Sequence, residues 1–154
     1  PTGTMSALDS LDVPVCWPRA AVRRGPDDRV FSLVTRRHTI REYAFDGPAH
    51  LGFRSSHDVH GDGSVVIVPA AGHTPGSVVV FVTLPSAQRF AFIGDLTWQL
   101  DGITRRVDRP LLLRALADSD SSAVREDLSR VIALADRVHL VPAHDARAYQ
   151  AFRD

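Results

Sequence analysis

A single cysteine, Cys16, is all the thiol chemistry this sequence contains. No internal disulfide can form, and the redox compartment stays open. Neither sign of charge is in excess, since Lys+Arg and Asp+Glu both total 18. Phosphate binding needs a basic excess or stripe, so nucleic acid is not an expected partner. No apolar run approaches the roughly 20 residues that span a bilayer, and no basic start followed by an apolar centre marks a signal peptide. Membrane association is therefore not expected, and a cytoplasmic location is the default. Internal repeats, low-complexity tracts and long linkers are missing too. What is present, 154 residues at 44% hydrophobic and 23% charged, suits one domain over 1–154 with a sizeable core.

The N-terminal third punctuates poorly. Residues 13–17 read as a short strand, and Pro18 as the first-turn proline of a short helix closed by Gly25-Pro26. Residues 30–34 are strand or helix, since a short apolar run does not decide. From Gly61 the pattern sharpens. Asp62-Gly63 is a turn, and 64–68 is a β-branched strand. A loop from Pro69 to Gly76 leads to a strand over 77–82. A turn at 85–88 joins this strand to another over 89–93 as a hairpin. Strands apolar on both faces need cover on both, which predicts a sheet inside a layered α/β domain. A helix starts at Pro110. A longer one, capped by Ser121 or Ser122, runs to about Arg137 with Val124, Leu128, Val131 and Leu134 on one stripe. A short strand over 139–141 and a last helical turn from Ala146 complete the expectation.

Three islands carry the chemistry. They are Gly72-His73-Thr74-Pro75-Gly76, Gly94-Asp95 and Pro142-Ala143-His144-Asp145. Each puts a metal-binding side chain at the end of an apolar run. The flanking glycines allow the His73 loop unusual backbone angles and Pro75 stiffens it. His, Asp and His from three strand ends suit zinc, which takes imidazole nitrogen and carboxylate oxygen. Singly, each has a plainer reading: a histidine after glycine is more often a loop residue, and Gly-Asp after a strand more often a turn or cap. His57 and His60, three residues apart, are possible substitute ligands or simple loop residues. Trp98 lines a pocket or the core. Asp145 supports His144 or caps the next helix. Thr74 and Ser77 lack a His–acid pair and read as loop and strand-start residues.

In order and context these islands resemble the metallo-β-lactamase superfamily, closest to its glyoxalase II-like and acyl-homoserine-lactonase-like hydrolases. The resemblance implies an α/β fold, an αββα sandwich with the metals at one edge. It implies His73 as a ligand of a first zinc, Asp95 as a bridge and His144 as a ligand of a second. It further implies a small-molecule substrate with an ester, thioester or lactone bond.

The family also carries an upstream His-x-His-x-Asp-His. Here Pro1-Thr2-Gly3-Thr4 stands where its last four residues should be, and none of the four is a normal zinc ligand. One codon choice for Pro-Thr-Gly-Thr-Met-Ser reads His-Arg-Asp-His-Val in a shifted frame, so an N-terminally truncated or frameshifted parent is the expectation. Such a chain keeps part of the metal site and is expected to be inactive alone. The alternative is a catalytically dead binding or interaction module. An apolar sheet face left uncovered by the missing strands would favour a homodimer.

Overall fold

The computed structural model describes residues 15–18, 40–97 and 118–146, in two compact units, Pro1–Ala44 and Phe45–Asp154. In the first unit, β1 (Val15–Pro18) pairs in parallel with β2 (Ile40–Tyr43). Pro18 is the last residue of β1, opposite Tyr43, and not the first of a helix. The rest of that expected helix, residues 30–34 and the helix expected from Pro110 lie outside the described residues, as do Trp98 and the segment after Ala146.

The second unit is a five-stranded sheet in the order β3-β4-β5-β6-β7. Its strands are β3 (His57–Asp58), β4 (Val65–Pro69), β5 (Val78–Thr83), β6 (Arg89–Gly94) and β7 (His139–Pro142). All neighbours run antiparallel except β6 and β7, which are parallel. The expected hairpin is β5–β6. Because β7 runs with β6, the ends of β4, β6 and β7 and the start of β5 lie along one edge of the sheet.

One face of this sheet is the core. Val66, Phe81, Ala91 and Leu140 lie in register across four strands, with Val68 opposite Val79 and Ile93 further along β6. Side chains alternate along a strand, so these residues share a side. They cluster with Phe53 and with Val124, Val131, Leu134 and Val138. Val68, Val79, Ile93 and Val131 are fully buried, and such burial stabilises by about 2 kcal/mol per side chain. The other face is covered unevenly. Val141 is buried, Val80 and Val82 are half-buried and Phe92 is 39% exposed. The strands therefore alternate in burial, where the apolar runs alone suggested uniform burial on both sides.

The helix α1 (Ser121–Ile132) lays Val124 and Val131 on the core face. Its cap is Asp120, and neither Ser121 nor Ser122. The Asp120 carboxylate accepts from the amides of Ser122 and Ala123. The helix stops at Ile132 and gives way to turns before β7, earlier than the expected Arg137. Leu134 and Val138 still reach the core from those turns. Asp127 is buried on α1, and desolvation pushes its carboxyl above the ordinary value. Arg130 pairs with Asp127 and Glu126 and lies over the Phe53 ring.

Candidate metal centre

His73 stands in the β4–β5 loop, which is closed from within and from outside. Within it, the Ala70 amide donates to the Ser77 carbonyl and the Ser77 amide to the Thr74 carbonyl. The Ser77 hydroxyl accepts from the Thr74 amide and sits 2.8 Å from the Thr74 hydroxyl. Thr74 and Ser77 thus build the loop, as their sequence context suggested. From outside, the Ser119 amide donates to the His73 carbonyl at 3.1 Å and the Asp120 amide to the Gly72 carbonyl at 2.8 Å.

Glycine at position 72 is a matter of space and not of backbone angle. Neither Gly72 nor Gly76 has a positive φ, so the angular freedom the sequence allows is not used at either. A Cβ on Gly72 would lie 2.5 Å from the Val124 amide nitrogen and 2.8 Å from its Cγ2. The loop rests directly on the first turn of α1. Gly94 is the glycine whose conformation matters. Its φ of +54° is one that side-chain-bearing residues rarely adopt, and it turns the chain off the end of β6 just before Asp95. Gly94 also lies beside a register irregularity in the β6–β7 pairing, and its carbonyl accepts from the Ala143 amide at 3.2 Å. That bond ties the Asp95 and His144 loops together.

Three loops thereby bring the three expected residues together. His73 Nε2 is 3.8 Å from Asp95 Oδ2, and His144 Nε2 is 2.9 Å from Asp95 Oδ1. Each imidazole addresses a different oxygen of one carboxylate. Exposure grades across the group, from 20% for the His73 side chain through 34% for Asp95 to 58% for His144. The centre therefore opens to solvent on the His144 side. Asp145, next to His144, is buried.

The remaining candidates are not gathered here. His57 is on β3, paired with Ile67, at the sheet edge away from β6 and β7. His60 is exposed in the turn at the opposite end of the strands and not against the core strands. One residue that sequence reasoning missed belongs to the centre: Asp118 Oδ1 lies 2.9 Å from His73 Nδ1, and the Asp118 side chain is only 1% exposed. The run Asp118-Ser119-Asp120 before an apolar stripe signals a helix start. Nothing in the linear sequence links it to a histidine 45 residues earlier.

Two ligand atoms each about 2.1 Å from a zinc ion lie about 3.4 Å apart at the tetrahedral angle and at most about 4.2 Å apart. The 3.8 Å between His73 Nε2 and Asp95 Oδ2 is inside that range. The 2.9 Å between His144 Nε2 and Asp95 Oδ1 corresponds to a narrower angle near 90°, or to a direct hydrogen bond. In donor type and spacing the residues fit zinc, with one imidazole and one Asp95 oxygen at each of two positions. Among the described residues, no three His, Cys, Asp or Glu form one metal-ligating group. A stable protein zinc site takes three or four ligands, so each position is short of ligands among the described residues.

No family model matches this sequence, and no curated protein does. Solved structures do match. An N-acyl homoserine lactone hydrolase, solved with the product N-hexanoyl-L-homoserine at its catalytic metal centre, is 12% identical with a TM-score of 0.59, over 91% of this chain and 50% of that one. A Bacillus thuringiensis AiiA variant with N-decanoyl-L-homoserine at its active site is also 12% identical with a TM-score of 0.59, over 90% of this chain and 50% of that one. The hydrolase AbOPH of the β-lactamase superfamily is 14% identical with a TM-score of 0.51, over 88% of this chain and 48% of that one. The fold of this chain is thus α/β and metallo-β-lactamase-like. The chain spans about half the length of the solved structures it matches. Among the described residues no helix is long and apolar enough to cross a membrane.

Proposed function

We propose that this chain is the C-terminal portion of a zinc-dependent hydrolase of metallo-β-lactamase fold, acting in its whole form on an ester, thioester or lactone. The observation that carries this reading is the pair of imidazoles on the two oxygens of Asp95, at strand ends of a fold shared with structures solved with N-acyl homoserines bound. His73 and Asp95 would hold one zinc and Asp95 and His144 a second, as ligands and not as acid–base groups. Zinc in such a place lowers the pKa of bound water and polarises a carbonyl. The substrate lies on the open, His144 side of the centre.

Two donors per metal are too few for robust turnover, so the chain alone is an incomplete centre. In this reading the remaining ligands come from a part of the whole protein outside this chain, which spans about half the length of the solved structures it matches. The test is zinc stoichiometry on the purified chain, with His73→Ala as control. Weak or partial zinc uptake that the substitution removes is the expected result. Zinc absent from both would leave a scaffold only, the catalytically dead binding module. Fast zinc-dependent hydrolysis of a lactone by the 154-residue chain would overturn the incompleteness.

A further inference from the structure

We propose that Asp118 is a positioning residue that locks His73 in the Nδ1–H tautomer and turns its Nε2 lone pair toward Asp95. The inference deepens the reading of His73 as a metal-facing side chain and rests on it. A carboxylate only accepts hydrogen bonds. The 2.9 Å contact between His73 Nδ1 and Asp118 Oδ1 therefore places the ring proton on Nδ1. Which ring nitrogen carries the proton is set by the hydrogen bond the other makes. Nε2, the nitrogen 3.8 Å from Asp95 Oδ2, is then the one with the lone pair.

The surroundings make this a fixed contact. Asp118 is 1% exposed at its side chain, against 20% for His73, so the bond is formed where water competes little. The residues on either side of the contact are joined by backbone hydrogen bonds, Ser119 to His73 and Asp120 to Gly72. The absence of a Cβ at Gly72 is what lets the two segments come so close. Asp118 thus reaches the ring's Nδ1 from the residues just before α1. Carboxylate partners of this kind fix ring orientation and raise the basicity of a ligating imidazole, and their loss typically weakens metal binding by about 10- to 100-fold.

The test reads the tautomer first. In the metal-free, 15N-labelled chain, at a pH where the ring is neutral, long-range 1H–15N correlation assigns the His73 proton to Nδ1 or Nε2. The expected result is Nδ1–H in the unaltered chain, kept in Asp118→Asn, whose side-chain carbonyl still accepts, and lost to a mixture in Asp118→Ala. Nε2–H in the unaltered chain, or no change in Asp118→Ala, overturns the proposal. If Asp118→Ala does not fold, the tautomer of the unaltered chain and of Asp118→Asn decides alone. Zinc affinity by chelator competition is the second readout. It should fall about 10- to 100-fold in Asp118→Ala and less in Asp118→Asn. The expected tautomer pattern with no zinc uptake by the unaltered chain sinks the metal reading and leaves the positioning role. Zinc uptake with affinity and tautomer both indifferent to Asp118→Ala does the reverse.

Discussion

The two ends of the five-stranded sheet are made of similar loops and serve opposite purposes. At the end where β4 and β6 begin, each turn closes on itself. Asp58 accepts from the amides of Gly61 and Gly63 at 2.9 and 2.8 Å, and Asp62 accepts from the Ser64 amide. Hydrogen bonds from Ser64, its side chain first, hold the Asp62 carboxyl below the ordinary value. Leu84 bonds with Gln88 and Ala87 across the hairpin turn. At the other end the loops lean on other elements. The His73 loop is held by α1 and the residues before it, and the Asp95 and His144 loops are joined through Gly94 and Ala143. A turn that uses its acidic side chains to bind its own amides is a connector. A loop whose backbone is secured by a distant segment can direct its side chains at a common point.

The largest effect that can break this contrast is at Gly72. Gly72→Ala forces the loop off α1, and the chain should lose about 3 kcal/mol, the range of overpacking a tight contact, read from urea unfolding. The same substitution should disrupt the His73–Asp118 bond, so zinc uptake falls with stability. An unchanged unfolding midpoint would mean that the close approach is not a constraint.

Asp58→Ala is the matched change at the opposite end. It removes the acceptor of several amides and should cost about 1.5 kcal/mol, with zinc uptake equal to that of the unaltered chain. A parallel loss of zinc would erase the distinction between the two ends. Asp120→Ala removes the carboxylate that caps α1 and leaves the Asp120 amide on the Gly72 carbonyl, and about 1 kcal/mol is expected from thermal or urea melts.

The smallest effect is a pH dependence at His50. Burial first, then the charge of Arg89, holds its imidazole below the ordinary value of 6.5, with Asp58 opposing. A depressed folded value means that the unfolded chain binds the proton more readily. The contribution of His50 to stability is therefore complete above about pH 6.5 and is lost as pH falls through that value toward the folded one. Urea midpoints at pH 7.5 and 5.5 should show this slope flattened in His50→Phe, whose ring keeps the contact that His50 makes with Phe81.

Much of this was legible in residue order. The runs that became β4, β5 and β6 are rich in β-branched and aromatic residues and lie between Gly- and Pro-containing turns, and their signal is local. Their uneven burial was not legible, because a run apolar at successive positions hides which side faces α1. The cap was misread by one residue, since aspartate and serine cap equally well and three-dimensional entry angle chooses between them. Pro18 reads as a helix start by its own preference, but pairing with β2 holds it in a strand.

The amino-acid sequence by itself determined the strands, the hairpin, the helix stripe and the three islands with their His, Asp and His. These depend on neighbours a few residues apart, where periodicity and turn chemistry act. Only the tertiary structure decided that each imidazole addresses a different oxygen of Asp95, that Gly72 is needed for its missing Cβ, and that Asp118 stands behind His73. Those facts depend on parallel pairing of β6 with β7 and on the docking of α1. Contacts between distant segments leave no periodic trace in the chain, because they are selected by packing in space and not by local backbone preference.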